Sequence, residues 1–361
     1  MRFPSEPRYP RTKKYANDFL LNYGFDKLPI DPFKIIKDKK WALMTYGELM
    51  AQNNCSRKAI KENISEDGFT SFNGRNYSIA YDELIRSGGR IRFTLFHEIG
   101  HIYLNHFIDF KETTIRRGSL KEDEYDILEK EAHYFAKNVA APLIVLDALQ
   151  IKNFSQIIRI TGLSKPASKN RYNDLAAWKA RKYKSIPEIS ISVNFYNFIY
   201  KKTCNICGYF FISHEVQYCP ICGSNEFEWE EGNMIYDDGY ELDENGRAII
   251  CPRCGNEQID AEGRYCRICS ANLTNRCTQD EDIWGGYNDN DLVAKACGKL
   301  AAGNARYCEF CGSPTTFYKD ELLKPWDKVK DKILTRQRTT SSKEPVDDGF
   351  FPPEDEEELP F

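Results

Sequence analysis

Histidine is scarce in this chain, with five residues in 361, and four of them fall between positions 97 and 133. Cysteine is nearly missing from the first 200 residues, where Cys55 stands alone, and the other 12 of its 13 copies follow from Cys204 onward. A disulfide-rich secreted protein would spread its cysteines differently, and C-x-x-C pairs in a reducing compartment indicate metal binding. No apolar run reaches the roughly 18 residues that a membrane helix needs, so no membrane partner is expected. The opening segment, MRFPSEPRYPRTKK, has no apolar stretch behind its basic residues, so it does not resemble a secretory signal, and the expected location is cytoplasmic.

The net charge of −4 conceals an asymmetry. Residues 1–200 carry 32 Lys and Arg against 23 Asp and Glu, a net of +9. Residues 201–320 carry 11 against 20, a net of −9, and residues 341–361 carry 1 against 8. A basic first half therefore precedes an acidic second half and tail.

Periodicity and breakers divide the first half into short elements. Residues 1–14 read as a loose arm. Apolar spacing predicts a helix over 15–24, ended by Gly24, and a second over 30–43, with Asp31 as N-cap and Pro32 at the first position. FTSFNGRNYSIAYD (69–82) predicts a hairpin on an Asn73-Gly74 turn. Ser87-Gly88-Gly89 then precedes a helix carrying RFTLFHEIGHIYLNH. Further helices are expected at 121–141, 143–151, 154–161 and 170–184, and the alternation in ISISVNFYNFIY predicts a strand over 189–200. From about 338 the composition predicts disorder.

The chemistry concentrates in His97-Glu98-Ile99-Gly100-His101. On a helix, positions i and i+4 share a face, so both imidazoles can meet one Zn²⁺. Zinc lowers the pKa of a water it holds to about 7, and Glu98 would take that water's proton and pass it to the leaving amine. The plain alternative is an amphipathic core helix, but two imidazoles and a carboxylate are awkward core residues without a purpose. A third ligand is needed. His106 lies about 140° round the helix from His101, and reads as solvated or supporting. In LEKEAHYFAKNVAAP, Glu131 lies beside the apolar face and is the preferred candidate, with Glu129, about 200° away, as its competitor. Tyr81, Tyr103 and Tyr134 are candidate donors to an oxyanion.

RFTLFHEIGHIYLNH followed by EKEAHYFAKNVAAPL resembles the ImmA/IrrE-like zinc metallopeptidases over residues 15–180. The resemblance implies an α+β fold with a compact zincin-like domain. It implies His97, His101 and Glu131 as metal ligands, Glu98 as catalytic acid and base, and a protein substrate. Family members cleave or otherwise inactivate helix-turn-helix repressors of mobile elements. Phe96 replaces the family's usual small residue, and His133 stands where Asn or Asp is usual.

Two cysteine units repeat: Cys204/Cys207 with Cys219/Cys222, and Cys251/Cys254 with Cys266/Cys269, each with 11 residues between its pairs. Paired knuckles make a closed Cys₄ site, so two structural zinc ribbons are expected. A third, degenerate unit has Cys297, Cys308 and Cys311, and Cys277 completes it if residues 278–296 loop out. The expected divisions are 1–14 (arm), 15–185 (peptidase domain), 186–232, 233–275 and 276–320 (ribbons), and 321–361 (linker and acidic tail). The acidic ribbon charge disfavours nucleic acid and favours a protein partner. The last residues, PEDEEELPF, resemble the acidic tip of bacterial single-stranded-DNA-binding proteins. That resemblance makes Leu359, Pro360 and Phe361 candidates for docking on proteins that read such tips.

Overall fold

The computed structural model describes residues 3–115, 120–181, 183–229, 238–259, 263–285 and 291–341. The chain divides into two units, Met1–Tyr200 and Lys201–Phe361. Mixed helix and strand, with three Cys₄ clusters in the second unit, make it an α+β protein with ribbon-like metal sites. Among the described residues, no helix is long and apolar enough to cross a membrane.

The first unit opens with α1 (Tyr9–Tyr23), α2 (Pro32–Asp38), β1 (Ala42–Thr45), α3 (Tyr46–Asn53) and α4 (Arg57–Asn63). The hairpin β2 (Gly68–Phe72) and β3 (Tyr77–Tyr81) follows, then α5 (Gly88–Tyr103), α6 (His106–Phe110) and α7 (Glu122–Ala140). The unit closes with α8 (Leu143–Ala148), α9 (Phe154–Thr161), α10 (Lys165–Lys179), α11 (Ile186–Asn194) and α12 (Tyr196–Ile199). Local signals set several of these starts. The Asp31 side chain accepts from Phe33 N at 2.9 Å, with Pro32 at the first helical position. Thr45 and Glu48 form a reciprocal capping box on α3.

The sheet has the order β1-β3-β2, with β1 parallel to β3 and β2 antiparallel to it. The Asn73 side chain accepts from Arg75 N and Asn76 N and so closes the hairpin turn. Beside the sheet, α5 crosses α7. The crossing buries Leu95, Phe96, Ile99 and Ile102 from one helix and Leu128, Ala132, Phe135, Ala136 and Val139 from the other, which is helical spacing on both. Burying each large side chain contributes about 1.5–3 kcal/mol. At the crossing Gly100 has no side chain, and a Cβ there would lie 3.1 Å from Phe135 Cδ1 and 3.2 Å from Ala132 O. The helices approach this closely because position 100 is glycine.

Four expectations change here. Residues 3–14 are no loose arm: Phe3 stacks on Phe110 at 4.1 Å, Thr12 is fully buried, and α1 begins at Tyr9. The predicted strand over 189–200 is helical. Ser185 and Glu188 cap α11 reciprocally, with Pro187 in its first turn, and these start signals override a short alternation. Because α11 and α12 bury Ile191, Phe195, Phe198 and Ile199, the first unit ends at Tyr200 rather than 185. The helix expected over 170–184 runs instead from Lys165, with Pro166 in its first turn.

In the second unit β4 (Lys201–Cys204) pairs antiparallel with β5 (Phe210–Ile212) and β6 (Phe227–Glu228). A hairpin, β7 (Ile283–Gly285) and β8 (Asp291–Ala294), fills the stretch between Cys277 and Cys297. Two helices complete the described part, the single turn α13 (Thr316–Lys319) and the longer α14 (Trp326–Ser341). Trp326, Val329 and Ile333 of α14 pack on Cys204, Cys219 and Ile221. The echoed segments around 218 and 307 meet reciprocally. Tyr218 N donates to Glu309 O at 3.0 Å, and Tyr307 N donates to Pro220 O at 3.0 Å. Each tyrosine ring lies where the other segment's glycine, Gly312 or Gly223, has no Cβ; both glycines have left-handed φ, 77°. The helix reaches Ser341, past the expected onset of disorder at about 338. Leu359, Pro360 and Phe361 lie outside the described residues.

Candidate functional site

The site forms where α5, α7 and β2 meet. Ser87 accepts from Arg90 N at 3.3 Å and starts α5, which carries His97, Glu98 and His101. His97 Nε2 and His101 Nε2 lie 3.0 Å apart. Glu129 of α7 completes the cluster: Oε2 is 3.2 Å from His97 Nε2, and Oε1 is 3.3 Å from His101 Nε2. All three ligand atoms lie within 4.8 Å of one another.

Glu131, the sequence-preferred third ligand, is not in this cluster. Its carboxylate is fully buried and turned to Arg8, which donates from Nε to Oε1 at 2.8 Å and from Nη2 to Oε2 at 2.8 Å. Arg8 N donates to Oε1 as well, at 2.6 Å. Glu131 Oε2 also lies 3.1 Å from His106 Nε2, and His106 Nδ1 lies 2.9 Å from His101 Nδ1. His106 is therefore not solvated but wholly buried behind the metal-facing imidazole. The physical reason for the correction is rotational: two helix positions separate the carboxylates by about 200°, so only one of them can face α5's imidazoles.

Glu98 is buried, and Thr70 Oγ1 of β2 donates to its Oε2 at 2.8 Å. Burial pushes the Glu98 carboxyl up, against the opposing pull of His97 and His101. Burial works against a charged His97, but the Glu129 carboxylate outweighs it and carries the imidazole upward. Burial likewise opposes ionisation of Glu129, and the two imidazoles hold it well below the usual carboxylate range. The three groups thus form a compact set in which one carboxylate faces two imidazoles.

This cluster opens into a cleft of about 430 Å³, whose lining includes Phe93, Thr94, Tyr125 and His133. His133 packs edge-on against Phe93 at 5.0 Å. None of the three tyrosines singled out as oxyanion donors lines that cleft. Tyr103 OH donates to Tyr23 OH at 2.9 Å, Tyr134 packs on Tyr9, and Tyr81 packs on Phe33. Sequence reading passed over Thr70 and Tyr125; Thr70 lies in the predicted hairpin, but nothing in its neighbours marks a contact 28 positions away.

Each of the three cysteine clusters closes on four thiols. Sγ pairs lie at 3.6 and 3.5 Å in Cys204/Cys222 and Cys207/Cys219, and at 3.5 and 3.7 Å in Cys251/Cys269 and Cys254/Cys266. Cys277 joins Cys311 at 3.4 Å and Cys297 joins Cys308 at 3.7 Å, with β7 and β8 looped out between. All three sets can bind structural zinc.

Residues 56–156, under a third of the chain, match a peptidase family described as the IrrE N-terminal-like domain, in keeping with an ImmA/IrrE-like family. The matched segment contains α5, Glu98 and the Glu129 end of the cluster, and it supports a zinc metallopeptidase-type function. No curated protein matches the chain.

Proposed function

We propose that the first unit is a zinc endopeptidase, with His97, His101 and Glu129 as metal ligands and Glu98 as general acid and base. The observation that carries this reading is the convergence of two Nε2 atoms and one carboxylate within 4.8 Å at the base of a cleft. That donor set suits zinc: three ligands from side chains, one corner left for chemistry. Bound zinc supplies Lewis acidity toward a peptide carbonyl. Glu98 supplies the proton traffic. Thr70 holds one of its oxygens, and the other accepts the proton of the attacking water and returns it to the leaving amine. The pocket's burial keeps that carboxyl easier to protonate than an exposed one, which suits a group that must do both.

The substrate we propose is a protein. Its closer description, a helix-turn-helix repressor, is supported by the family resemblance alone. The ribbons would select the partner; exposed isoleucines at the knuckle tips, Ile206 (65% exposed) and Ile268 (67%), suit contact with an apolar protein surface. A cytoplasmic setting and a docking role for Leu359, Pro360 and Phe361 belong to the same proposal. Glu98→Gln tests it. With a protein partner incubated and cleavage followed by mass spectrometry, the variant should lose about 10²–10⁴-fold in rate while keeping its zinc. Unchanged biological activity in Glu98→Gln would instead establish an adaptor that binds without cutting.

A further inference from the structure

Behind the metal cluster runs a line of four side chains: half-buried Arg8, then buried Glu131, His106 and His101. We infer that Glu131 and His106, locked by Arg8 from the N-terminal segment, are positioning residues that dictate which nitrogen of His101 carries its proton, and so keep its Nε2 lone pair free for a metal ion. The inference rests on the zinc reading for the value of that lone pair, but not for the proton order itself.

The order follows from donor and acceptor rules alone. An ionised carboxylate only accepts. Glu131 takes three hydrogen bonds from Arg8, at 2.6, 2.8 and 2.8 Å, which leaves its Oε2 as an acceptor toward His106 Nε2 at 3.1 Å. His106 must then hold its proton on Nε2, and its Nδ1 is an acceptor. Facing that Nδ1 at 2.9 Å, His101 Nδ1 must be the donor. A neutral imidazole with N–H at Nδ1 has its lone pair on Nε2, the atom 3.3 Å from Glu129 and 3.0 Å from His97 Nε2. With that proton on His101 Nδ1, every link from Arg8 to His101 has one donor and one acceptor. Metal-ligating histidines commonly donate their other N–H to a carboxylate or carbonyl; here a second imidazole is interposed, and the carboxylate sits one step further back. His106 and Glu131 are both fully buried, so water cannot substitute for either partner.

Glu131→Gln reverses the line without changing its shape. Two Arg8 donors face Oε1 and one faces Oε2, so the amide oxygen takes the Oε1 place, the amide NH₂ faces His106, and the bond from Arg8 Nη2 is lost. His106 must then accept at Nε2 and donate from Nδ1, and His101 must accept at Nδ1 and hold its proton on Nε2, where a metal would bind.

The test is imidazole ¹⁵N–¹H correlation NMR on the full chain. A chelator too weak to strip the Cys₄ sites empties the first unit. The wild type should show His101 protonated at Nδ1 and His106 at Nε2, and Glu131→Gln should show both reversed. Zinc titration of the same samples should show affinity at this site falling about 10–100-fold in Glu131→Gln and His106→Leu. His106→Gln, whose amide can accept from His101 and donate to Glu131, should recover most of that loss. A wild-type His101 with no proton on Nδ1, or wild-type zinc affinity in both Glu131→Gln and His106→Leu, would overturn the inference. If the wild type takes zinc only in its cysteine sites, the peptidase reading fails, and the proton positions still decide whether the line works as described.

Discussion

Glu129 and Glu131 show how much one helical turn decides. Glu131 is the more buried, and burial beside an apolar face made it the natural choice from sequence, yet its burial serves Arg8 and His106. Glu129 keeps a side chain 31% exposed and faces the imidazoles. A linear sequence does not reveal that residue 8 reaches residue 131, so the carboxylate that joins the two imidazoles was legible only as a pair of alternatives. His97, Glu98 and His101 were legible because their spacing alone fixes a common helix face. A second buried carboxylate shows the same economy of partners. Glu188 accepts from Lys13 at 2.5 Å, Arg181 at 3.1 Å, Trp178 Nε1 at 3.2 Å and Ser185 N at 2.8 Å. Burial pushes its pKa up, but these partners prevail and bring it down to about 2 from an ordinary 4.5. Because the folded value lies below the unfolded one, Glu188 adds stability above the ordinary value that drains away as pH falls toward 2. Glu188→Gln should therefore lower the urea midpoint at pH 7 and bring it closer to the wild type at pH 3. An equal gap at both pH values would show that the ion pairs contribute nothing.

At the scale of elements, the metal helix is held in place by its crossing with α7. Gly100 sits between His97 and His101 in sequence and packs against Phe135 and Ala132, so the helix crossing is closest beside the imidazoles. Gly100→Leu should overpack the crossing, cost about 1–3 kcal/mol, and lower the melting temperature together with zinc affinity at the first-unit site. A variant as stable as the wild type, with its zinc retained, would show that the helices have room to part. Elements with strong start and stop signals were readable: α2 from Asp31-Pro32, the hairpin from Asn73-Gly74, and α7 from its acidic first turn. The stretch 189–200 was misread because five alternating residues carry less information than the capping box immediately before them. The helix expected over 30–43 stops at Asp38, and its last residues belong to β1, whose parallel pairing with β3 is a long-range contact that four residues cannot announce.

Across the whole molecule, two kinds of metal chemistry divide along the chain. The first unit offers an open set of two imidazoles and a carboxylate; the second offers three closed sets of thiols. The cysteine spacing made two of those sets plain, and the third was legible once Cys277 was allowed to reach past the intervening hairpin. Their mutual packing, through Tyr218 and Tyr307 on each other's glycines, lay in the repeated motif but not in its spacing. The account therefore predicts four zinc ions per full-length chain, three held by cysteine and one by His97, His101 and Glu129. The most direct measurement is zinc content per chain by elemental analysis, for the wild type and for Glu129→Ala. The predicted result is a fall of one ion in Glu129→Ala with the other three retained; equal zinc in the two proteins would contradict the account at its centre.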